Sequence, residues 1–130
     1  CVGMSHLCMD ESIKWAQERK TFGKPMIAHQ VIRHKIADMS SKIDALQALV
    51  HQICWNIETG HMPVAEISKA KFFGSKVLEF CASEAMQILG GAGYLRGSPV
   101  ERTYREVKVM AIGGGSEEIM RDLAVRQMGL

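Results

Sequence analysis

The sequence predicts an all-α fold, an up-and-down four-helix bundle with one extra short helix. Three observations lead to it. Apolar residues recur at alternating spacings of four and three along two long stretches, the signature of amphipathic helices. The breaks between periodic stretches are short and carry Gly or Pro. Nine methionines and an aromatic content of only 6% suit helix-on-helix packing better than a pleated sheet. No strand pattern and no internal repeat stands out. At 130 residues the chain reads as one domain, long enough to bury a core.

A first helix carries Met4, Leu7, Cys8 and Trp15 and ends before Phe22–Pro25, "FGKP". A second helix is predicted from Val31 to Glu58, with its seam through Ile32, Ile36, Met39, Ile43, Leu46, Val50, Ile53 and Ile57. "TGHMP", Thr59–Pro63, breaks it: Gly60 suits a left-handed C-terminal position and Pro63 the start of the next helix. A third helix runs from about Val64 to Leu89. Its stripe through Ile67, Ala70, Gly74, Val77, Cys81, Ala85 and Ile88 contains small residues that imply a closely packed neighbour. "GGAGYLRGSP", Gly90–Pro99, is expected to be loop, and Val100–Met110 a short helix. The last helix is expected over Ser116–Met128, with Ser116 as N-cap and Glu117 and Glu118 in the first turn.

Composition narrows the function. A net charge of +2 argues against nucleic acid or a charged membrane surface as partner. No apolar run approaches the roughly 18–20 residues of a membrane span, and no signal-peptide pattern is visible, so a soluble intracellular setting is expected. Cys1, Cys8, Cys54 and Cys81 show no C-x-x-C spacing and are expected to be reduced, buried thiols. Because the chain opens at Cys1 inside a helical pattern, it is expected to be a piece of a longer polypeptide. Glu58-x-x-His61 is half of a di-iron carboxylate–histidine motif without its second copy, and no metal site is assigned. There is no G-x-S-x-G elbow either.

Three breaks in the helical pattern could carry chemistry. "ERKTFGKPMIAHQ", Glu18–Gln30, sets Arg19, Lys20 and Lys24 around Thr21 and Gly23; this is either a solvated basic turn or a seat for a phosphate or pyrophosphate. "QILGGAGY", Gln87–Tyr94, closes a helix and so fails as a dinucleotide fingerprint, which must open one after a strand. It is either a plain helix stop or a place where bare backbone meets a ligand or another chain. "IGGGSEEIM", Ile112–Met120, leaves free backbone N–H groups at a helix start. Its acids disfavour a bare phosphate and favour a hydrogen-bonding heterocycle, ribose or amide.

In order and spacing these breaks resemble the C-terminal helical domain of the acyl-CoA dehydrogenase family. "RKTFGKPMIAHQ" is similar to the family's R-x-x-F-G…Q segment and "QILGGAGY" to its Q-x-x-G-G-x-G-Y segment. "RTYREVKVMAIGGGSEEIMR" resembles R-D-x-[KR]…I-Y-E-G-T-[SN]-[EQ]-I. The likeness runs from about Met4 to Leu130. It implies an FAD-dependent oxidoreductase of fatty acid metabolism that converts an acyl-CoA to the 2,3-enoyl-CoA. Electrons pass on to an electron-transferring flavoprotein, and the enzyme assembles as a homodimer or homotetramer. The compartment, whether mitochondrial matrix, peroxisome or bacterial cytoplasm, is left open. By residue, the resemblance implies that Arg19, Thr21, His29 and Gln30 meet the FAD of a neighbouring subunit. Gln87, Ile88, Leu89, Gly90 and Gly91 form another part of that intersubunit contact. Gly115 lines the acyl-CoA pocket, and Ser116, Glu117 and Glu118 touch the FAD of their own subunit.

One departure changes what is expected of the chemistry. Many members place a proton-abstracting glutamate where this chain has Gly114, and glycine cannot accept a proton. The resemblance to isovaleryl- and long-chain acyl-CoA dehydrogenases instead places the base upstream of Cys1, which favours long or branched acyl chains. An isolated chain would then be inactive. The rivals are an inactive paralogue and a helical oligomerisation or interaction module whose glycines only stop helices.

Overall fold

The structure, a computed structural model, describes residues 1–130 and is helical almost throughout. The order is α1 (Val2–Glu18), β1 (Lys20–Thr21), β2 (Lys24–Pro25), one turn of 3-10 helix at Met26–Ala28, α2 (Gln30–Glu58), α3 (Val64–Leu89), the single turn α4 (Gly91–Tyr94), α5 (Pro99–Ile112) and α6 (Glu117–Gln127). Successive long helices run antiparallel. His6 near the start of α1 meets Gln47 late in α2, and Lys35 early in α2 pairs with Glu84 late in α3. Lys108 near the end of α5 reaches Glu79 in the middle of α3.

The core is the sum of the predicted stripes. Met39, Ile43 and Leu46 from α2 interlock with Val77, Cys81, Ala82, Ala85 and Ile88 from α3, with Cys8 and Ala16 from α1 and Val100 from α5. Ile36 and Val50 pack against this cluster half-buried. Ile57, at the seam's end, is 44% exposed. α3 touches α1, α2, α5 and α6 and is the axle of the bundle.

The helix ends carry the expected chemistry. Gly60 has φ +88, and Ser116 caps α6 by accepting from the Ile119 N–H. A second cap, Ser98 with Pro99 behind it, starts α5.

Three expectations need correction. Residues 20–25 form a small hairpin, with Lys20 opposite Pro25 and Thr21 opposite Lys24, where no strand was expected. Strands of two residues are too short to leave a periodic signal. Residues 91–94 of the expected loop make a helical turn, α4. Only Cys8 and Cys81 are buried; Cys1 and Cys54 are exposed, because Cys54 lies off the α2 seam and Cys1 is at the chain end. Burial pushes the Cys8 thiol up to about 12 and the Cys81 thiol to about 11, so both are inert neutral groups.

Ile43, fully buried between α2 and α3, should be among the most costly residues to truncate. Ile43→Ala is expected to lower unfolding free energy by about 2–5 kcal/mol. In urea titrations followed by circular dichroism, Ala48→Ser on the exposed face should stay within about 0.5 kcal/mol of the parent.

Candidate functional site

At one end of the bundle the hairpin projects from α1. Its two central residues, Phe22 and Gly23, both have positive φ (+52 and +79), as a two-residue turn of the I′ kind requires. Phe22 is the one non-glycine residue with positive φ, and it is 97% exposed. Its ring meets His29 edge-on at 6.1 Å. The hairpin is tied to the start of α2: Thr21 Oγ1 and His29 Nε2 lie 3.0 Å apart, and Met26 N–H donates to Arg19 O at 2.8 Å. The Arg33 guanidinium donates to Ile27 O and Ala28 O and closes the 3-10 turn. The Arg19 side chain and Gln30 are left exposed on this platform.

The end of α3 lies on the same side, since α3 runs antiparallel to α2. Gln87 is exposed, but the side chains of Ile88 and Leu89 are in the core. Those two positions, singled out as ligand contacts from the sequence, therefore have only backbone to offer. Gly90 has φ +58 and ψ −133, a conformation that only glycine adopts without strain. It is not the left-handed geometry of a simple stop. It turns the chain sharply, so that α4 starts at once and the Gly90 and Gly91 backbone stays exposed.

The opposite end holds the glycine triplet between α5 and α6. Gly114 and Gly115 have φ +68 and +99, and a Cβ on Gly115 would sit 2.6 Å from Met120 Sδ. Lys71 Nζ donates to Gly115 O and, at 3.4 Å, to Ala111 O. Glu117 is only 6% exposed and points inward: it accepts from Ser75 Oγ at 2.8 Å and pairs with Lys76 at 3.2 Å and Arg121 at 3.3 Å. Its carboxylate is thus committed to α3. Glu118 is exposed, and bonds from its own N–H and from Ser116 hold its pKa below the usual carboxylate range. Beside Gly113 opens a cleft of about 280 Å³, lined mostly by apolar groups that include Cys1, Val2, Leu46, Val50 and Gly74.

The predicted residues thus form two groups. Arg19, Thr21, His29, Gln30 and Gln87–Gly91 share one end; Gly114–Glu118 share the other. Gly90 and Lys71, nineteen residues apart along α3, are about 28 Å apart along the helix axis. They are two separate groups within one chain.

The family profile "Acyl-CoA dehydrogenase, C-terminal domain" matches residues 1–129. The chain belongs to the acyl-CoA dehydrogenase family. It is 37% identical over 127 residues to the probable acyl-CoA dehydrogenase YngJ of Bacillus subtilis, covering 98% of this chain and 33% of that protein. It is 36% identical to subunit CarC of the caffeyl-CoA reductase–Etf complex of Acetobacterium woodii, covering 92% and 32%. Among solved structures, butyryl-CoA dehydrogenase from Megasphaera elsdenii superposes with a TM-score of 0.95 at 29% identity, over 99% of this chain and 34% of that one. The chain spans about a third of the length of these relatives.

Within this acyl-CoA dehydrogenase domain, three features escaped the sequence reading. Lys71 and the Ser75–Glu117 pair bridge more than 40 residues of chain, and no local pattern announces such contacts. Phe22 was legible only as part of "FGKP", although an aromatic before Gly in a tight turn is a signal of strain.

Glu117 ties acid stability to the glycine loop. Burial pushes its pKa up, but the Ser75 hydroxyl and the Lys76 and Arg121 cations outweigh burial and hold it below the ordinary range. A depressed folded-state pKa stabilises fully above the unfolded value of about 4.3 and is lost as pH falls through the folded value. Glu117→Gln is therefore expected to be less stable than the parent at pH 7, with a shallower loss between pH 5 and 3. Urea midpoints across that range would show it; parallel curves would refute the assignment.

Proposed function

We propose that this chain is the C-terminal domain of an FAD-dependent acyl-CoA dehydrogenase, acting on the Cα–Cβ bond of an acyl-CoA thioester. The observation that carries the proposal is the pairing of the family match with bare, specially shaped backbone at both ends of the bundle. The residues present fit a flavin dinucleotide. Arg19 stands exposed beside Thr21 and His29, suited to a pyrophosphate, and no side chain or backbone beyond the local chain lies within 4 Å of where a Cβ would stand on Gly90 or Gly91. We assign Arg19, Thr21, His29, Gln30, Gln87 and the backbone of Ile88–Gly91 to the flavin of a neighbouring subunit. Ser116 and Glu118, with the backbone of Glu117, serve the flavin of the same subunit, and Gly115 the acyl-CoA. The separation of the two groups supports this division, since one chain then contributes to two flavins and the functional unit is at least a dimer.

When bound, the flavin supplies the acceptor for the hydride leaving Cβ. The chain's own residues orient and enclose. With Ser116 capping the Ile119 N–H, the Glu117 N–H at the start of α6 is left to meet a ligand, and the Glu117 carboxylate, turned inward, anchors the helix from behind. Removal of the α-proton needs a base, and Gly114 has none. We place that base on the polypeptide preceding Cys1, as a glutamate within about two helical turns. The cleft supports this: Cys1 and Val2 at the head of α1 line the same space as Gly113. Its apolar lining suits a branched or extended acyl group. An electron-transferring flavoprotein is the proposed partner; the CarC relative is named as a subunit of an Etf complex. That relative is also named as a reductase, which favours one second reading, the same reaction run as enoyl-CoA reduction.

In the full-length protein, Arg19→Ala is expected to weaken flavin binding by roughly ten- to hundredfold, the equivalent of about 1.5–3 kcal/mol for a charged hydrogen bond. The ratio of flavin to protein absorbance after gel filtration measures it. Unchanged retention would favour a helical interaction module instead.

A further inference from the structure

The triple-glycine loop has no intrinsic shape. Three consecutive glycines carry the greatest backbone freedom available, and no atom lies within 4 Å of where a Cβ would stand on Gly114. Yet Gly115 and the first amides of α6 must hold one orientation to meet a ligand. The holding groups come from α3. Lys71, half-buried with its stem along the cleft beside Gly113, donates to the carbonyls of Ala111, just before the loop, and Gly115, within it. Ala111 O is one of the last α5 carbonyls, which lack an intrahelical donor, and a cation there is also favoured by the helix dipole. One turn along the same face of α3, Ser75 holds Glu117 in the first turn of α6. The loop is pinned between these two points.

We propose that Lys71 is a positioning residue for the reaction at the 113–116 loop. By gripping these two carbonyls it fixes the direction in which Gly115 and the start of α6 face the bound thioester and flavin. This rests on the proposed function and deepens it. Lys71 acts through the backbone it holds. A purely structural lysine would change stability alone, whereas a positioning lysine changes turnover at temperatures where the protein remains folded.

The test uses the full-length, flavin-loaded protein, comparing Lys71→Met with Lys71→Arg. Two readouts are taken well below the melting temperature: steady-state kinetics, and amide hydrogen exchange across residues 112–118. In Lys71→Met, kcat is expected to fall about ten- to hundredfold, with KM changing less, and the loop amides to exchange faster. Lys71→Arg, which keeps charged donors, should recover most of both. Should Lys71→Met not fold, Lys71→Gln, which keeps N–H donors without the charge, is expected to show the same two changes in smaller measure. A folded variant with parental kcat and parental loop exchange, whatever its melting temperature, overturns the positioning role. A wild-type protein that binds no flavin overturns the functional reading instead, and the two failures are told apart by the absorbance of the parent.

Discussion

The buried face of α3 is built largely from small residues, Ala65, Ser68, Gly74, Ser75, Cys81, Ala82 and Ala85, with Val77, Leu78, Ile88 and Leu89 set among them. Four helices lean on this one, and each can do so only if its own side chains reach down to the α3 backbone. Helix axes pack about 8–10 Å apart, and the short end of that range needs small residues at the contact. Gly74 shows how tight the arrangement is. A Cβ there would lie 3.5 Å from Cys1 Cβ and 3.6 Å from Leu46 Cδ1, ordinary contact for a methyl group but no room for more. A longer side chain would meet α1 and α2 at once. Met39, Ile43 and Leu46 of α2 fill the gaps that the small residues of α3 leave, beside Val77 and Ile88 of α3 itself. Large against small, repeated along two antiparallel helices, makes one dense core from few aromatics.

This arrangement also decides where the polar chemistry goes. A face of small apolar groups cannot hold charges, so the ionisable residues of α3 lie at its margins and ends. Lys35 and Glu84 pair where α2 begins and α3 finishes. Lys71, Ser75 and Lys76 gather under the α5–α6 junction. The buried Glu117 is acceptable there only because three donors surround it; an unpaired carboxylate in that place would be strongly destabilising. Removing one donor is therefore a different perturbation from removing the carboxylate. The first leaves a buried charge short of partners; the second leaves Lys76 and Arg121, which reach solvent, and Ser75, whose hydroxyl also bonds Phe72 O.

The helices and the fold class were legible because their information is periodic. The stripe from Ile32 to Ile53 reports its partner face with no knowledge of the partner, and Gly60 and Ser116 mark helix ends through their own backbone preferences. The glycine-rich breaks could be located because they interrupt such patterns. What each break does was less legible. The burial of Ile88 and Leu89 depends on how α3 sits against α2 and α5. The inward turn of Glu117 depends on Ser75, 42 residues away. Cys54 reads as another apolar helical residue until the α2 seam is drawn, and then it falls outside it. Long-range pairs of this kind come from packing, and a single sequence carries no local trace of them.

Gly114 shows how far such local reasoning can be pushed once the fold is known. Open space surrounds the missing Cβ, so sterics alone would admit a side chain. The backbone objects instead: φ +68 at Gly114, followed by +99 at Gly115, would strain any other residue by about 1–3 kcal/mol each. The loop takes a path suited to having no side chain there, and Lys71 and Ser75 hold both of its ends to that path. Under the proposed function, a proton acceptor cannot be regained by substitution at 114 without moving backbone that the ligands need. It has to arrive from another element bordering the same cleft. The head of α1, where Cys1 and Val2 face Gly113 across that cleft, meets this condition and leaves the shape of the loop intact.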